Sequence, residues 1–149
     1  MNRDFRDLLA ACNDAEVRYL VVGAYAVTCH ARPRFTKDRD IWVDATPENA
    51  ARVVRALTAF GAPLTANGVT TDDFTNPDIV YQMGVPPNRI DVLTSVAALE
   101  FAPCWQRRVE SMYGDVPVRY LAKPDLITNK RAVARPQDLL DVEALEREP

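Results

Sequence analysis

Two aspartates, Asp38 and Asp40, stand at the start of the otherwise apolar run DRDIWVD. In a β-strand, residues two apart share one face and lie about 7 Å apart along the backbone. Two ionised carboxylates at that spacing repel one another, and burial adds a desolvation cost, unless a cation lies between them. Because hard divalent ions such as Mg²⁺ bind carboxylate oxygens, the pair predicts a magnesium site.

A third carboxylate could complete this site. The run RIDVL carries Asp91 between Ile90 and Val92, and strand alternation directs the two apolar side chains away from the aspartate. If this run is a neighbouring strand, Asp91 joins Asp38 and Asp40 in a cradle for two Mg²⁺ ions, and Mn²⁺ could replace them.

A glycine turn lies upstream of the aspartates. The apolar run RYLVV ends at Gly23, and the small apolar run GAYAVTCHA follows directly. A strand that gives way to a helix at a glycine exposes backbone N–H groups and the positive end of the helix dipole, which suits a phosphate. Four basic residues bracket the aspartates: Arg32, Arg34, Lys37 and Arg39. Together these parts predict phosphoryl or nucleotidyl transfer assisted by two metals.

Two known Asp-x-Asp motifs with a different chemistry do not fit this sequence. An EF-hand loop needs glycine where Val43 stands and glutamate where Asn49 stands. A phosphatase of the Asp-x-Asp type needs its first aspartate at the C-terminal end of a strand, whereas residues 41–43 continue this one. The remaining alternative is that both aspartates are solvated residues of an edge strand.

The surrounding pattern predicts the elements that hold these residues. Strands are expected at 18–22, 38–44, 78–84 and 88–94, with a hairpin over 109–121. Helices are expected near residues 5–12, from Gly23, from Thr46-Pro47 to Gly61, and from about Pro124 and Pro136, with a polar loop over 62–77. The prediction is an α/β (α+β) fold with a small mixed sheet flanked by helices, as a single domain over residues 1–149.

Bulk composition excludes several classes of protein. The net charge of −3 provides no overall attraction to nucleic acid or anionic lipid. Three scattered cysteines predict neither a disulfide framework nor a cysteine zinc site. The sequence has no signal peptide and no apolar run of membrane-spanning length, so we expect a cytoplasmic protein that does not contact a membrane.

Taken together, the motifs resemble the DNA polymerase β-type nucleotidyltransferase superfamily. The resemblance is carried by VVGAYAVTCHARPRFTKDRDIWV followed by RIDVL. More closely, the chain is similar to small prokaryotic nucleotidyltransferases of the abortive-infection and toxin–antitoxin type. Their Arg-x-Thr-x-Asp-x-Asp string and their late lysine with Asp-x-x-Asp are matched by Arg34, Thr36, Asp38, Asp40, Lys130, Asp138 and Asp141.

This resemblance implies a role for each matched residue. Asp38, Asp40 and Asp91 would bind Mg²⁺, and Asp138 or Asp141 would help to activate the acceptor. The nucleotide would be bound by Gly23, Ala24, Tyr25, Arg34, Thr36, Lys37 and Lys130. The substrate would be an NTP, the acceptor an RNA, a protein or a small molecule, and a cognate toxin or antitoxin a protein partner.

An alternative is a non-catalytic nucleotide-binding or protein-interaction module, such as one component of a toxin–antitoxin pair. Ala24 stands where many relatives have a serine or glycine, and Leu126 where a glutamine is common. Tyr25 and Trp42 are also open to two interpretations, because an aromatic side chain here can stack on a base or pack in the core.

Overall fold

A computed structural model describes residues 2–31 and 38–148, which form a six-stranded mixed sheet flanked by helices. The helices are α1 (Arg3–Asp14), α2 (Gly23–His30), α3 (Pro47–Phe60), α4 (Phe101–Gln106), α5 (Lys123–Val133) and α6 (Pro136–Arg147), and a 3-10 helix spans Thr71–Thr75. The strands are β1 (Tyr19–Val22), β2 (Asp38–Val43), β3 (Val80–Met83), β4 (Arg89–Leu93), β5 (Val109–Tyr113) and β6 (Val116–Tyr120). The predicted α/β class with a mixed sheet is therefore confirmed.

The strand order is β3-β4-β2-β1-β6-β5, which puts the two aspartate-bearing strands next to one another. Strand β2 runs antiparallel to β1 and parallel to β4, while β6 runs parallel to β1. Val22, the last residue of β1, pairs with Asp40, and Asp40 pairs with Asp91 on the other side. The end of β1 and two carboxylates therefore meet in the middle of the sheet.

Local signals explain where the helices begin and end. Asn2 caps α1 by accepting a hydrogen bond from the backbone N–H of Phe5. The hydroxyl of Thr46 caps α3, Pro47 takes its first position, and Gly61 ends it in the left-handed conformation. Helix α1 buries one apolar stripe in the core, formed by Phe5, Leu8, Leu9 and Cys12.

Strand β2 is more deeply buried at its C-terminal end than at its start. Ile41, Trp42 and Val43 are all buried, so the end of this strand is covered on both faces. The short helix α4, which the sequence analysis does not predict, covers the Trp42 face through Phe101, with ring centroids 5.1 Å apart. Trp42 is thus a core residue, and the base-stacking interpretation of Trp42 is wrong. Among the described helices, none combines the length and the apolar character needed to cross a membrane.

Candidate active site

Three carboxylates lie on the neighbouring strands β2 and β4. The parallel register places Asp40 beside Asp91 and Asp38 beside Arg89. Asp91 is only 6% exposed. The guanidinium of Arg89 donates through one nitrogen, Nη2, to Oδ2 of Asp38 at 3.1 Å and to Oδ2 of Asp91 at 3.2 Å. Arg89 was not predicted as a site residue, although it shares a strand face with Asp91 two residues away.

The protonation of these carboxylates reflects their crowding. Burial raises the pKa of Asp40 to about 7, and the charges of Asp91 and Asp38 add to the rise, while those of Lys130 and Arg89 oppose it. Burial also raises the pKa of Asp91, against the attraction of Arg89. The positive charge available within the described chain is therefore too small to hold Asp40 ionised far below neutral pH.

The donor set fits a hard divalent cation, but the side chains do not form a finished metal site. No group of three or more His, Cys, Asp or Glu side chains within residues 2–31 and 38–148 is arranged to hold a metal ion. Two of the carboxylates are drawn to Arg89 instead. Oδ1 of Asp91, however, is buried without a hydrogen-bond partner in the described chain, and an unpaired buried carboxylate oxygen is a suitable ligand for Mg²⁺.

Gly23 brings the backbone against Asp40. It adopts φ +68°, a left-handed conformation, at the point where β1 ends and α2 begins. A Cβ atom at this position would lie 2.4 Å from Oδ2 of Asp40, which is too close for any side chain. Only glycine therefore allows the carboxylate to lie against this turn, next to the free N–H groups at the start of α2.

A cavity of about 190 Å³ opens beside Gly23 and Asp40. Its polar wall comes from the last two helices, and its apolar wall from the segment after β4. The residues lining it are Val22, Gly23, Asp40, Leu93, Ser95, Val96, Ala97, Asn129, Lys130, Val133, Arg135 and Asp138. Residues 95–97 and Arg135 of this wall carry no motif, so they could not be predicted from the sequence.

Lys130 connects helices α5 and α6 at the base of this cavity. It is 4% exposed, and its Nζ lies 3.2 Å from Oδ1 of Asp138 and 3.1 Å from Oδ2 of Asp141. Burial works to raise the pKa of Asp138, but hydrogen bonds from Arg135 and Lys130 outweigh it and lower the pKa to about 2. Asp138 is therefore ionised and a weak base. Asp141 also accepts a hydrogen bond from Gln137 at 3.0 Å.

The other residues predicted to bind the nucleotide lie partly in α2 and partly outside the described residues. Tyr25 packs in an aromatic cluster with Phe5 and Tyr113, and Arg39 lies over its ring at 5.6 Å. Ala24 lies in the first turn of α2 and provides no side-chain hydroxyl. Arg34, Thr36 and Lys37, together with Arg32, lie outside the described residues. Their roles in nucleotide binding stay predictions, as do those of Tyr25 and Lys130.

Comparison with known proteins shows which known structure has a similar fold. The sequence matches no protein-family model, and no curated protein matches it. In structure, the chain is similar to the lincosamide antibiotic adenylyltransferase LnuA in its lincomycin-bound crystal structure, with a TM-score of 0.58. The fold is of the nucleotidyltransferase type. The likeness covers 99% of this chain and 97% of that one at 14% identity, so it establishes the fold alone.

Proposed function

We propose that the protein is a nucleotidyltransferase that moves a nucleoside monophosphate from an NTP to an acceptor and releases pyrophosphate. The observation that carries this proposal is the register of three neighbouring strands. It places Asp91 next to Asp40 and Asp40 next to the end of β1, where Asp40 and Gly23 both line one cavity. The fold, which is similar to that of an adenylyltransferase, supports the same class of reaction.

Magnesium is the proposed cofactor, with two ions bound by Asp38, Asp40 and Asp91. The unpaired Oδ1 of Asp91 and the raised pKa of Asp40 support this assignment, because both features are relieved by a cation. When bound, Mg²⁺ would offset negative charge on the reacting phosphate oxygens. Ionised carboxylates are the stronger ligands, so metal binding is expected to release the proton that Asp40 holds at neutral pH.

The polar walls of the cavity suit the nucleotide. In this proposal, the free N–H groups after Gly23 donate to the phosphates, and the N-terminal end of α2 stabilises their charge. Arg135 and Lys130 add positive charge on the opposite wall. Asp138 is proposed to hold these two cations in place, because its low pKa and its ion pairs with both make it a poor proton acceptor.

The acceptor is proposed to carry a hydroxyl or phosphate group and to be an RNA, a protein or a small molecule. The structural neighbour is described as an adenylyltransferase of lincosamide antibiotics, which favours a small molecule as the first class to test. A role in a toxin–antitoxin or defence system, with a cognate protein partner, is part of the same proposal and rests on the Arg34, Thr36, Asp38 and Asp40 string.

A second candidate function is a non-catalytic nucleotide-binding or protein-interaction module. It is favoured by the guanidinium of Arg89, which contacts both Asp38 and Asp91 where metal would bind. Ala24, which lacks a phosphate-binding hydroxyl, favours it too. A module of this kind would bind ATP with equal affinity in the presence and absence of Mg²⁺, and Asp40→Asn would not weaken it.

The direct test is incubation with each α-labelled NTP, Mg²⁺ and cell extract. We expect a labelled product with the wild-type protein and none with Asp38→Asn plus Asp40→Asn. Asp115→Asn is the matched control, because Asp115 is an exposed aspartate paired with Arg6 on a surface turn. Failure of the wild type to label any acceptor, or equal labelling by the double variant, would reject the proposal.

A further inference from the structure

Arg89 occupies an unusual position for a residue at a proposed metal site. It is the first residue of β4, and its side chain is 30% exposed. Both of its carboxylate contacts pass through Nη2, at 3.1 Å to Asp38 and 3.2 Å to Asp91. One cationic nitrogen thus sits between two of the three carboxylates proposed to bind metal.

These contacts are incomplete. An arginine that binds a carboxylate strongly uses two nitrogens in a fork, as Arg107 does with Asp125 at 2.9 Å and 2.9 Å. Arg89 uses one nitrogen for both partners, and its buried Nε has no hydrogen-bond partner in the described chain. Oδ1 of Asp91 is likewise left without a partner. The contact is therefore weaker than a fork and leaves both residues partly unsatisfied.

Arg89 and a divalent cation at this site would compete for the same two carboxylate groups, those of Asp38 and Asp91. A metal bound by Asp38 and Asp91 would bring two positive charges against a third one at hydrogen-bonding distance, which costs Coulomb energy in a partly buried site. The 30% exposure of Arg89 gives its side chain access to solvent once the carboxylates are taken. Both states of the site thus keep the carboxylates paired with a cation.

We propose that Arg89 is a displaceable counter-cation of the metal site: it holds Asp38 and Asp91 in the metal-free protein and leaves both before a divalent cation binds. The inference rests on the proposed function, and it makes Arg89 a positioning residue. Its consequence is a reduced apparent metal affinity, because only the fraction of molecules with Arg89 released is able to bind metal.

The test measures Mn²⁺ binding directly, by electron paramagnetic resonance without nucleotide, in the wild type, Arg89→Met and Asp40→Asn. We expect Arg89→Met to bind Mn²⁺ about tenfold more tightly than the wild type. Arg39→Met controls for the loss of one positive charge near the site, since Arg39 lies on the opposite face of β2 and stacks on Tyr25. Its affinity for Mn²⁺ should stay within about twofold of the wild type, because the sheet separates that charge from the three carboxylates.

The outcomes separate the two proposals. Equal or weaker Mn²⁺ binding by Arg89→Met, together with loss of binding in Asp40→Asn, would overturn the role of Arg89 and leave the metal site standing. Absence of Mn²⁺ binding in every variant would overturn both.

If Arg89→Met does not fold, the wild type provides the answer: its Arg89 Nε–H signal in NMR should shift as Mg²⁺ saturates the protein. A signal that stays unchanged while Mg²⁺ binds would overturn the inference.

Discussion

At the scale of single residues, Asp40 links the electrostatics of the site to the stability of the protein. Its pKa is about 7 in the folded chain and 3.8 as the ordinary value. The folded state therefore holds this proton more tightly than the unfolded state does, so the contribution of Asp40 to stability falls as the pH rises from about 4 to about 7. Above pH 7 the ionised carboxylate is a net cost to the metal-free fold.

The first prediction follows from this loss of stability with rising pH. Without metal, the free energy of unfolding of Asp40→Asn relative to that of the wild type should rise by about 2 kcal/mol from pH 5 to pH 8, as measured by urea unfolding. Asp115→Asn should show no such change over this pH range, because Arg6 lowers the pKa of Asp115 and keeps it ionised throughout. Parallel pH profiles for the wild type and Asp40→Asn would contradict the raised pKa.

The second prediction concerns the loss of stability when Gly23 is replaced. Gly23→Ala should lower the free energy of unfolding by about 2 kcal/mol more than Gly68→Ala does. Both glycines have φ +68°, so an alanine at either position would have to adopt the same unfavourable φ. A Cβ at Gly68 would have nothing within 4 Å, whereas one at Gly23 would lie 2.4 Å from Oδ2 of Asp40. Equal losses in chemical unfolding would show that the carboxylate does not lie against the turn.

At this scale, the positions of some site residues could be predicted from the sequence and those of others could not. Asp38 and Asp40 could be placed on one strand face because strand alternation is a local property, whereas Asp91 could join them only on the assumption that its run is the neighbouring strand. The bridging position of Arg89 could not be predicted, since Asp38 and Arg89 are 51 residues apart and become partners only through the parallel pairing of β2 with β4. For the same reason, Arg135 could not be predicted to line the cavity, because its side chain reaches the cavity only after α6 packs against α5.

At the scale of elements, the buried Lys130 of α5 forms ion pairs with two aspartates of α6. Lys130→Met should lower the free energy of unfolding by about 3 kcal/mol, because it removes the lysine charge from two buried carboxylates and leaves Asp138 with Arg135 as its cation. The matched control is Arg131→Met on the same helix, which removes an exposed pair with Glu146 and should cost about 0.5 kcal/mol or less. Similar losses for both variants in urea unfolding would contradict the buried ion pair.

Helix α4 shows where element prediction fails. It has six residues, with Pro103 among them, so its sequence carries neither a clear apolar period nor a long helical run. The helix is held by tertiary packing of Phe101 against Trp42, and by a local i,i+4 ring contact between Phe101 and Trp105. The longer helices α1 and α3 could be predicted because their caps and apolar stripes lie within the element itself.

At the scale of the whole molecule, the fold class could be predicted but the strand order could not. The alternation of strands and helices indicates a mixed α/β arrangement. The order β3-β4-β2-β1-β6-β5 requires that β1 pair with β6, which is about a hundred residues away: Val21 lies beside Tyr120. This long-range pairing joins the hairpin of β5 and β6 to the strands that carry the site, and a fold similar to that of an adenylyltransferase results at only 14% identity.

The central claim is that the carboxylates beside Gly23 bind a nucleotide through a metal. Titration calorimetry with a non-hydrolysable ATP analogue tests it most directly, in the wild type and in Asp40→Asn, each with and without Mg²⁺. We predict that the wild type binds the analogue at least about tenfold more tightly with Mg²⁺ than without it, and that Asp40→Asn abolishes this gain. Equal affinity with and without Mg²⁺ in the wild type, or an undiminished gain in Asp40→Asn, would contradict the account.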